Sequence, residues 1–310
     1  MKSIQSNIKK AKKYLDNKHC IGVPTETVYG LAGNAYSNVS VKKIFNLKRR
    51  PVNNPLIVHY FNLNKLKEDC HINSNFIKLY KKFCPGPITF ILKLKKKSKI
   101  SKIVTNKKNS LAVRFPKHPL FRNLLKNLDY PLAAPSANIS NRLSSVKASD
   151  VIEEFGSKIK YVLDGGRCQI GVESTIINLL NKPTLLRFGG LDISEINKVL
   201  KKKILVKTNS KNKIAPGQFY LHYSPGIPLR MNAKRPQKEE AFVLIKKRKI
   251  NKKNFYYLSK KNDLKQSAKN LYLLLRKIKK NGYKKVAVEK IQNRGIGKTI
   301  NDRLKRASKY

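Results

Sequence analysis

The chain has 310 residues, 40% hydrophobic and 8% aromatic, which allows one large packed domain plus a small one and excludes a disordered polymer. Lys and Arg number 69 against 17 acidic residues, a formal net charge of +52. Attraction of polyanions and anionic ligands is one reading of that excess; A/T-rich coding, which also favours Asn and Ile, is the other. No window approaches ~18 consecutive apolar residues and the N-terminus has no apolar signal core, so neither a membrane span nor a secretory leader is expected.

The elements follow in chain order. Ser3 to Lys18 predicts an amphipathic helix with Ile4, Ile8, Ala11 and Leu15 on one face and lysines on the other. Such a helix covers a sheet or lies on a membrane or RNA. Cys20–Val23 is a short strand stopped by Pro24. Val41–Arg50 is a helix with basic residues at its C-terminal end, stopped by Pro51. Leu56–Tyr60 is a strand, Phe76–Phe83 a helix, and Ile88–Leu94 and Ser110–Arg114 are strands. Leu120–Leu128 is a helix, Leu132–Ala134 a strand running into PSAN, and Ser149–Phe155 a helix. Tyr161–Leu163, part of GVESTIINL and Leu185–Phe188 are strands, and Ile193–Leu200 is a helix. Residues 201–235 read as a linker, lysine-rich at first and then rich in Pro, Gly and Tyr. Strands at Ala241–Ile245, Phe255–Leu258 and Val286–Val288 alternate with helices Asp263–Lys280 and Ile296–Ala307. Interleaved short strands and helices predict an α/β layered sheet, with a second small α/β domain at the C-terminus.

Cys20, Cys70, Cys84 and Cys168 show no C-x-x-C spacing and no His at a zinc-ligand offset. They read as reduced structural thiols of a cytoplasmic protein. Arg294–Thr299 echoes a G-K-T triplet without the spacing or preceding strand of a phosphate-binding P-loop, and reads as the start of a helix.

Chemistry concentrates in Gly22–Tyr60. Thr25, Glu26 and Thr27 follow a strand, where open α/β sheets bind ligands; a hydroxyl-capped turn is the structural alternative. Lys48, Arg49 and Arg50 meet at a helix end. They suit a triphosphate, although dipole complementarity also favours cations there. Asn54 and His59 flank the next strand. Ser110 and Arg114 share one face of their strand, and an Arg among apolar neighbours needs an acid or a ligand carboxylate. Ser136–Asn138 and the loop to Ser144 offer hydroxyl and backbone donors to phosphates.

PTETVYGL, K-x-R-P-x-x-N-P-L-I-V-H, CPGPITF, SLAVR-x-P, APSAN-x-S and GVESTI occur in one order over Gly22–Gly190, and together they resemble the YrdC/Sua5 family. HYSP, AKNLYLLLR and GIGKTINDRLKRA resemble the long Sua5 form. The resemblance implies a YrdC-like twisted mixed open sheet with flanking helices over 1–200. A linker folding over the active site (201–235) and a smaller Rossmann-like α/β domain (236–310) would follow. It implies synthesis of L-threonylcarbamoyladenylate from L-threonine, bicarbonate or CO2 and ATP, with release of pyrophosphate. A separate tRNA threonylcarbamoyltransferase would then form N6-threonylcarbamoyladenosine at position 37 of ANN-decoding tRNAs. Carried over by motif, Thr27, His59, Arg114 and Ser174 would bind threonine. Arg50, Asn54, Ser110, Ser136, Ser144, Arg187 and Tyr223 would bind ATP. Lys48 and Arg50 would act in catalysis, and Mg2+ would be held by the ATP phosphates. Asn141 and Leu143 replace the Gly and Pro usual after SAN-x-S, which leaves the register at Ser144 open by a residue.

The alternative from another class is a basic tRNA- or double-stranded-RNA-binding protein without turnover. Carbamoyl transfer in hydrogenase maturation would need zinc-finger-like and acylphosphatase segments that this sequence lacks.

Overall fold

The computed structural model describes residues 2–208, 222–250 and 252–309, so 209–221 of the expected linker lie outside the described residues. In chain order the first module runs α1 (Lys2–Asp16), β1 (Ile21–Val23), β2 (Gly30–Asn34), α2 (Asn38–Lys48), β3 (Ile57–His59), α3 (Leu63–Asp69), α4 (Ser74–Phe83), β4 (Ile88–Lys93), α5 (Lys102–Thr105), β5 (Ser110–Arg114), α6 (Pro119–Lys126), β6 (Leu132–Ala133), α7 (Ala148–Phe155), β7 (Thr175–Asn178), β8 (Thr184–Arg187), α8 (Ile193–Leu200) and β9 (Leu205–Val206). The second runs β10 (Leu229–Arg230), β11 (Glu240–Leu244), β12 (Phe255–Tyr257), α9 (Leu264–Lys280), β13 (Lys285–Val288) and α10 (Gly297–Ala307).

The large sheet is mixed, in the order β1-β2-β6-β3-β5-β4-β7-β8-β9. Its register builds the site. Ile57 and His59 on β3 lie beside Ala112 and Arg114 on β5, and Arg114 lies opposite Thr89 on β4. Side chains alternate across a strand, so His59 shares a face with Ile57, and Arg114 with Ala112. That face carries a small apolar cluster of Ile57, Ile91, Ala112, Ile176 and Leu186. The opposite face sends Val58, Phe90, Val113 and Ile177 into the main core under the helices.

The small sheet is all parallel, in the order β10-β13-β11-β12. α9 is capped by the Asp263 carboxylate accepting from the Lys265 N–H. It buries Ala268, Leu271, Tyr272, Leu275 and Ile278 in the same continuous core as the first module. Gly171 marks how close the two modules come. It has φ +79°, and a Cβ there would stand 2.6 Å from the Lys269 Cα of α9. Such a position admits only glycine.

Several expectations are adjusted. Tyr161–Leu163 forms no strand: Val162 makes a single bridge to Gly22. β2 and α3 are elements the sequence did not announce, because GLAGN lacks β-branched residues and LNKLKED shows little apolar periodicity. The expected linker is shorter at both ends, since Leu205–Val206 pairs with β8 and Leu229–Arg230 with β13. α1 packs Ile8, Ala11 and Leu15 with Phe121, Leu124 and Leu125 of α6, so it covers the sheet; Ile4 stays exposed. Thr299, in the G-K-T echo, donates its hydroxyl to the Gly189 carbonyl, a packing contact. No helix among the described residues is long and apolar enough to cross a membrane.

Candidate active site

A cleft over the apolar cluster is lined by Thr25, Tyr29, Arg50, Ile57, His59, Arg114, Ser136, Glu173, Ser174, Arg187, His222 and Tyr223, among others. One end centres on Arg114. Its Nη2 donates to Glu26 Oε1 at 2.7 Å and to Thr27 Oγ1 at 2.8 Å, all three side chains being buried. Glu26 Oε2 also accepts from the Lys117 N–H. Arg114 therefore has the acidic partner that its sequence context demanded, and it comes from the chain itself. Its Nε has no partner among the described residues, so the guanidinium is aimed but not saturated.

Thr25 is the hydroxyl-capped turn: its Oγ1 donates to the Val28 carbonyl and accepts from the N–H groups of Thr27 and Val28. Thr27 lies behind the lining and holds Arg114. His59 lines the cleft with Nδ1 unpartnered among the described residues. Burial, reinforced by the Arg114 charge, pushes its pKa well below the usual imidazole value, so it is neutral. Ser174 faces the cleft, its hydroxyl 2.7 Å from that of Thr89.

The other end is cationic. α2 is capped by Ser37, and its C-cap Arg49 adopts the left-handed conformation with φ 49°. That turn sends Lys48 and Arg50 inward and Arg49 outward. Arg50 Nε and Nη2 donate to the Asn54 carbonyl and side-chain oxygens, and Nη2 also to Pro55 O. Burial and the nearby Arg187 lower the Arg50 pKa to about 9. Arg187 donates through Nε and Nη2 to the Ser174 carbonyl. Two guanidiniums thus line this end of the cleft, close enough for each charge to act on the other.

Besides Thr27, four further candidates from the sequence lie outside the lining. Lys48 is fully buried and outside the lining; its ammonium donates to the carbonyls of Ser136 and Asn138. It holds the Ser136 loop and has one N–H left over. Asn54 supports Arg50 instead of lining the cleft. Ser110 shares the face of Arg114 but lies at the opposite end of β5, away from the lining. Ser144 is fully buried and outside the lining, and its hydroxyl proton is committed to Glu173 Oε1 at 2.6 Å. The register ambiguity does not rescue Ser145, which donates to the Ala137 carbonyl.

The motifs place Glu26 in the polar turn without a role of its own and assign no role to Glu173. Glu173 is buried, and it accepts from Ser144, from the Tyr272 hydroxyl and from Arg303 Nε at 2.7 Å. Burial alone would raise its pKa; Arg303 and Arg187 overcome that and hold it at about 2. The Arg303 guanidinium also lies over the Tyr223 ring at 4.6 Å, and Tyr223 stacks on Tyr272. The second module thus reaches the cleft wall directly. The cue was the E in GVEST beside an Arg on an otherwise amphipathic helix, which sequence spacing cannot pair.

The donor set does not make a protein metal cage. Both carboxylates near the cleft are engaged by arginines, and no cluster of three His, Cys, Asp or Glu occurs among the described residues. All four cysteines are free, and burial pushes the thiols of Cys20, Cys84 and Cys168 up to about 12, far from reactivity.

Residues 13–189 match the Sua5/YciO/YrdC family model, described as telomere recombination. Residues 191–309 match the model of the threonylcarbamoyl-AMP synthase C-terminal domain. A threonylcarbamoyl-AMP synthase of Pyrococcus abyssi is 34% identical over 94% of this chain and 90% of its own. One of Bacillus subtilis is 34% identical over 97% of this chain and 92% of its own. The fold superposes on the crystal structure of P. abyssi Sua5 complexed with L-threonine with a TM-score of 0.89 at 32% identity, covering 98% of this chain and 94% of that one. By both of its modules, the chain belongs to the Sua5/YrdC family.

Proposed function

We propose that the chain makes L-threonylcarbamoyladenylate from L-threonine, bicarbonate or CO2 and ATP, releasing pyrophosphate. The observation that carries this reading is a cleft with two chemically different ends: an oriented Arg114 beside neutral His59, and the Arg50–Arg187 pair. The first end suits an amino acid: Arg114 for its carboxylate, His59 and Ser174 for its polar groups. The second suits a triphosphate. The names of the relatives and the threonine complex of P. abyssi Sua5 support the assignment.

The chemistry needs no covalent enzyme intermediate. The neutral threonine amine adds to CO2 and loses a proton, giving a carbamate. A carbamate oxygen attacks the ATP α-phosphorus while the bond to the bridging oxygen of the β-phosphate breaks, and pyrophosphate leaves. Arg50 and Arg187 neutralise the charge that develops on the leaving group, and the Lys48-held loop presents Ser136. Tyr223 closes the nucleotide end. Mg2+ enters as part of the ATP substrate, held by the phosphates and water. The product would pass to a transferase that forms N6-threonylcarbamoyladenosine at position 37 of tRNA, in the cytoplasm.

The test is incubation with ATP, threonine, bicarbonate and Mg2+. Threonine-dependent pyrophosphate and a threonylcarbamoyl-AMP product are expected. A folded sample yielding neither would overturn the reading and leave the basic RNA-binding alternative.

A further inference from the structure

A second concavity lies on the outside of the first module, behind the α2 C-terminus. It measures about 430 Å3 and is lined by His19, Lys43, Arg49, Lys158 and Lys160, with Leu47, Ile139 and Phe155 as apolar wall. That size is within the range of small-molecule sites.

Its charge is uncompensated. Among the described residues no carboxylate lies within ion-pair distance of Lys43, Arg49, Lys158 or Lys160. The one acid in the wall, Glu154, is already engaged: it accepts from Arg276 at 3.0 Å and from the Ile139 N–H at 3.2 Å. A half-apolar hollow with four unpaired cations selects an anion that has an apolar or aromatic body.

We propose that this hollow is a second site for a small phosphate-bearing ligand of the mononucleotide class, and that its occupancy is felt in the catalytic cleft. The coupling rests on shared chain. Arg49 lies between Lys48 and Arg50 on one left-handed turn. Ile139 follows the Asn138 carbonyl that Lys48 holds, and the Ser140 N–H donates to the Lys48 carbonyl. An anion gripping Arg49 therefore acts on the peptides that aim Lys48 and Arg50.

Equilibrium dialysis with labelled AMP tests this without relying on turnover. Wild-type protein should bind two equivalents per chain, one in the cleft and one in the hollow. Lys158→Glu/Lys160→Glu, at exposed positions, should lose the second with about a tenfold or greater fall in affinity, as should Lys43→Glu. Arg50→Ala should lose the first and keep the second. Inorganic phosphate alone should compete only weakly, because it leaves the apolar wall unfilled. A single equivalent in the wild type, abolished by Arg50→Ala and untouched by the lysine reversals, would overturn the proposal, as would two equivalents that both survive the reversals.

Discussion

Arg303 Nε donates to Glu173 Oε2 at 2.7 Å, joining the last helix of the chain to the residue directly before Ser174. Both side chains are nearly fully buried. Removing Arg303 leaves buried Glu173 with Ser144, Tyr272 and the Arg187 charge, and removing Glu173 leaves Arg303 with Asp302, so each loss should cost less than the roughly 3–5 kcal/mol of a fully stranded charge. Arg303→Met and Glu173→Gln should each lower the melting temperature markedly. Arg303→Met/Glu173→Gln should recover part of that loss, giving a coupling on the order of 2 kcal/mol in a double-mutant cycle. Additive losses would show that the pair is not a functional clamp.

Acid should destabilise the protein in two stages. His59 and His222 are neutral in the fold, with pKa values pushed well below the usual 6.5 by burial. The unfolded state binds their protons first, so stability falls as pH drops below about 6.5. Glu173 titrates at about 2 against an ordinary 4.5, so its contribution is complete above 4.5 and lost as pH falls from there toward 2. Denaturant midpoints measured from pH 8 to pH 3 check both stages, and Glu173→Gln should flatten the lower one.

Threonine recognition should depend on Glu26 as well as on Arg114. Arg114→Ala removes the carboxylate partner and also strands Glu26. Glu26→Gln keeps the fold and only loosens the guanidinium. It should raise the KM for threonine roughly tenfold while changing that for ATP about twofold or less. Equal changes in both constants would remove the pair from the threonine end.

Lys48→Met and Arg50→Ala should both depress kcat for pyrophosphate release by about a hundredfold or more, the scale seen when one preorganised charge donor is lost. The two routes differ. Arg50 faces the cleft, whereas Lys48 secures the carbonyls of Ser136 and Asn138. Lys48→Met should therefore also increase hydrogen exchange in the 136–144 loop, and Arg50→Ala should not.

Much of this was legible in the sequence. SLAVR and PLIVH are legible as strands, with Ser110 and Arg114 on one face by parity, and the basic end of α2 offers Arg50; that His59 stands beside Arg114 comes only from the β3–β5 register. What stayed hidden is pairing across distance. Ser144 sits in a motif loop yet serves Glu173. Glu173 itself is satisfied by Tyr272 and Arg303, about 100 and 130 positions away. Arg303 reads in sequence as one more cation on a basic helix. Local propensity also missed β2, whose small residues are strand-forming only because β1 and β6 flank them.

The approach of Gly171 to the backbone of α9 has a mechanical consequence. With main chain against main chain, the two modules have no slack to close further at that point. Any side chain at position 171 would push α9 off the first module, so this glycine is what lets Tyr272 of α9 reach the Glu173 carboxylate in the cleft wall.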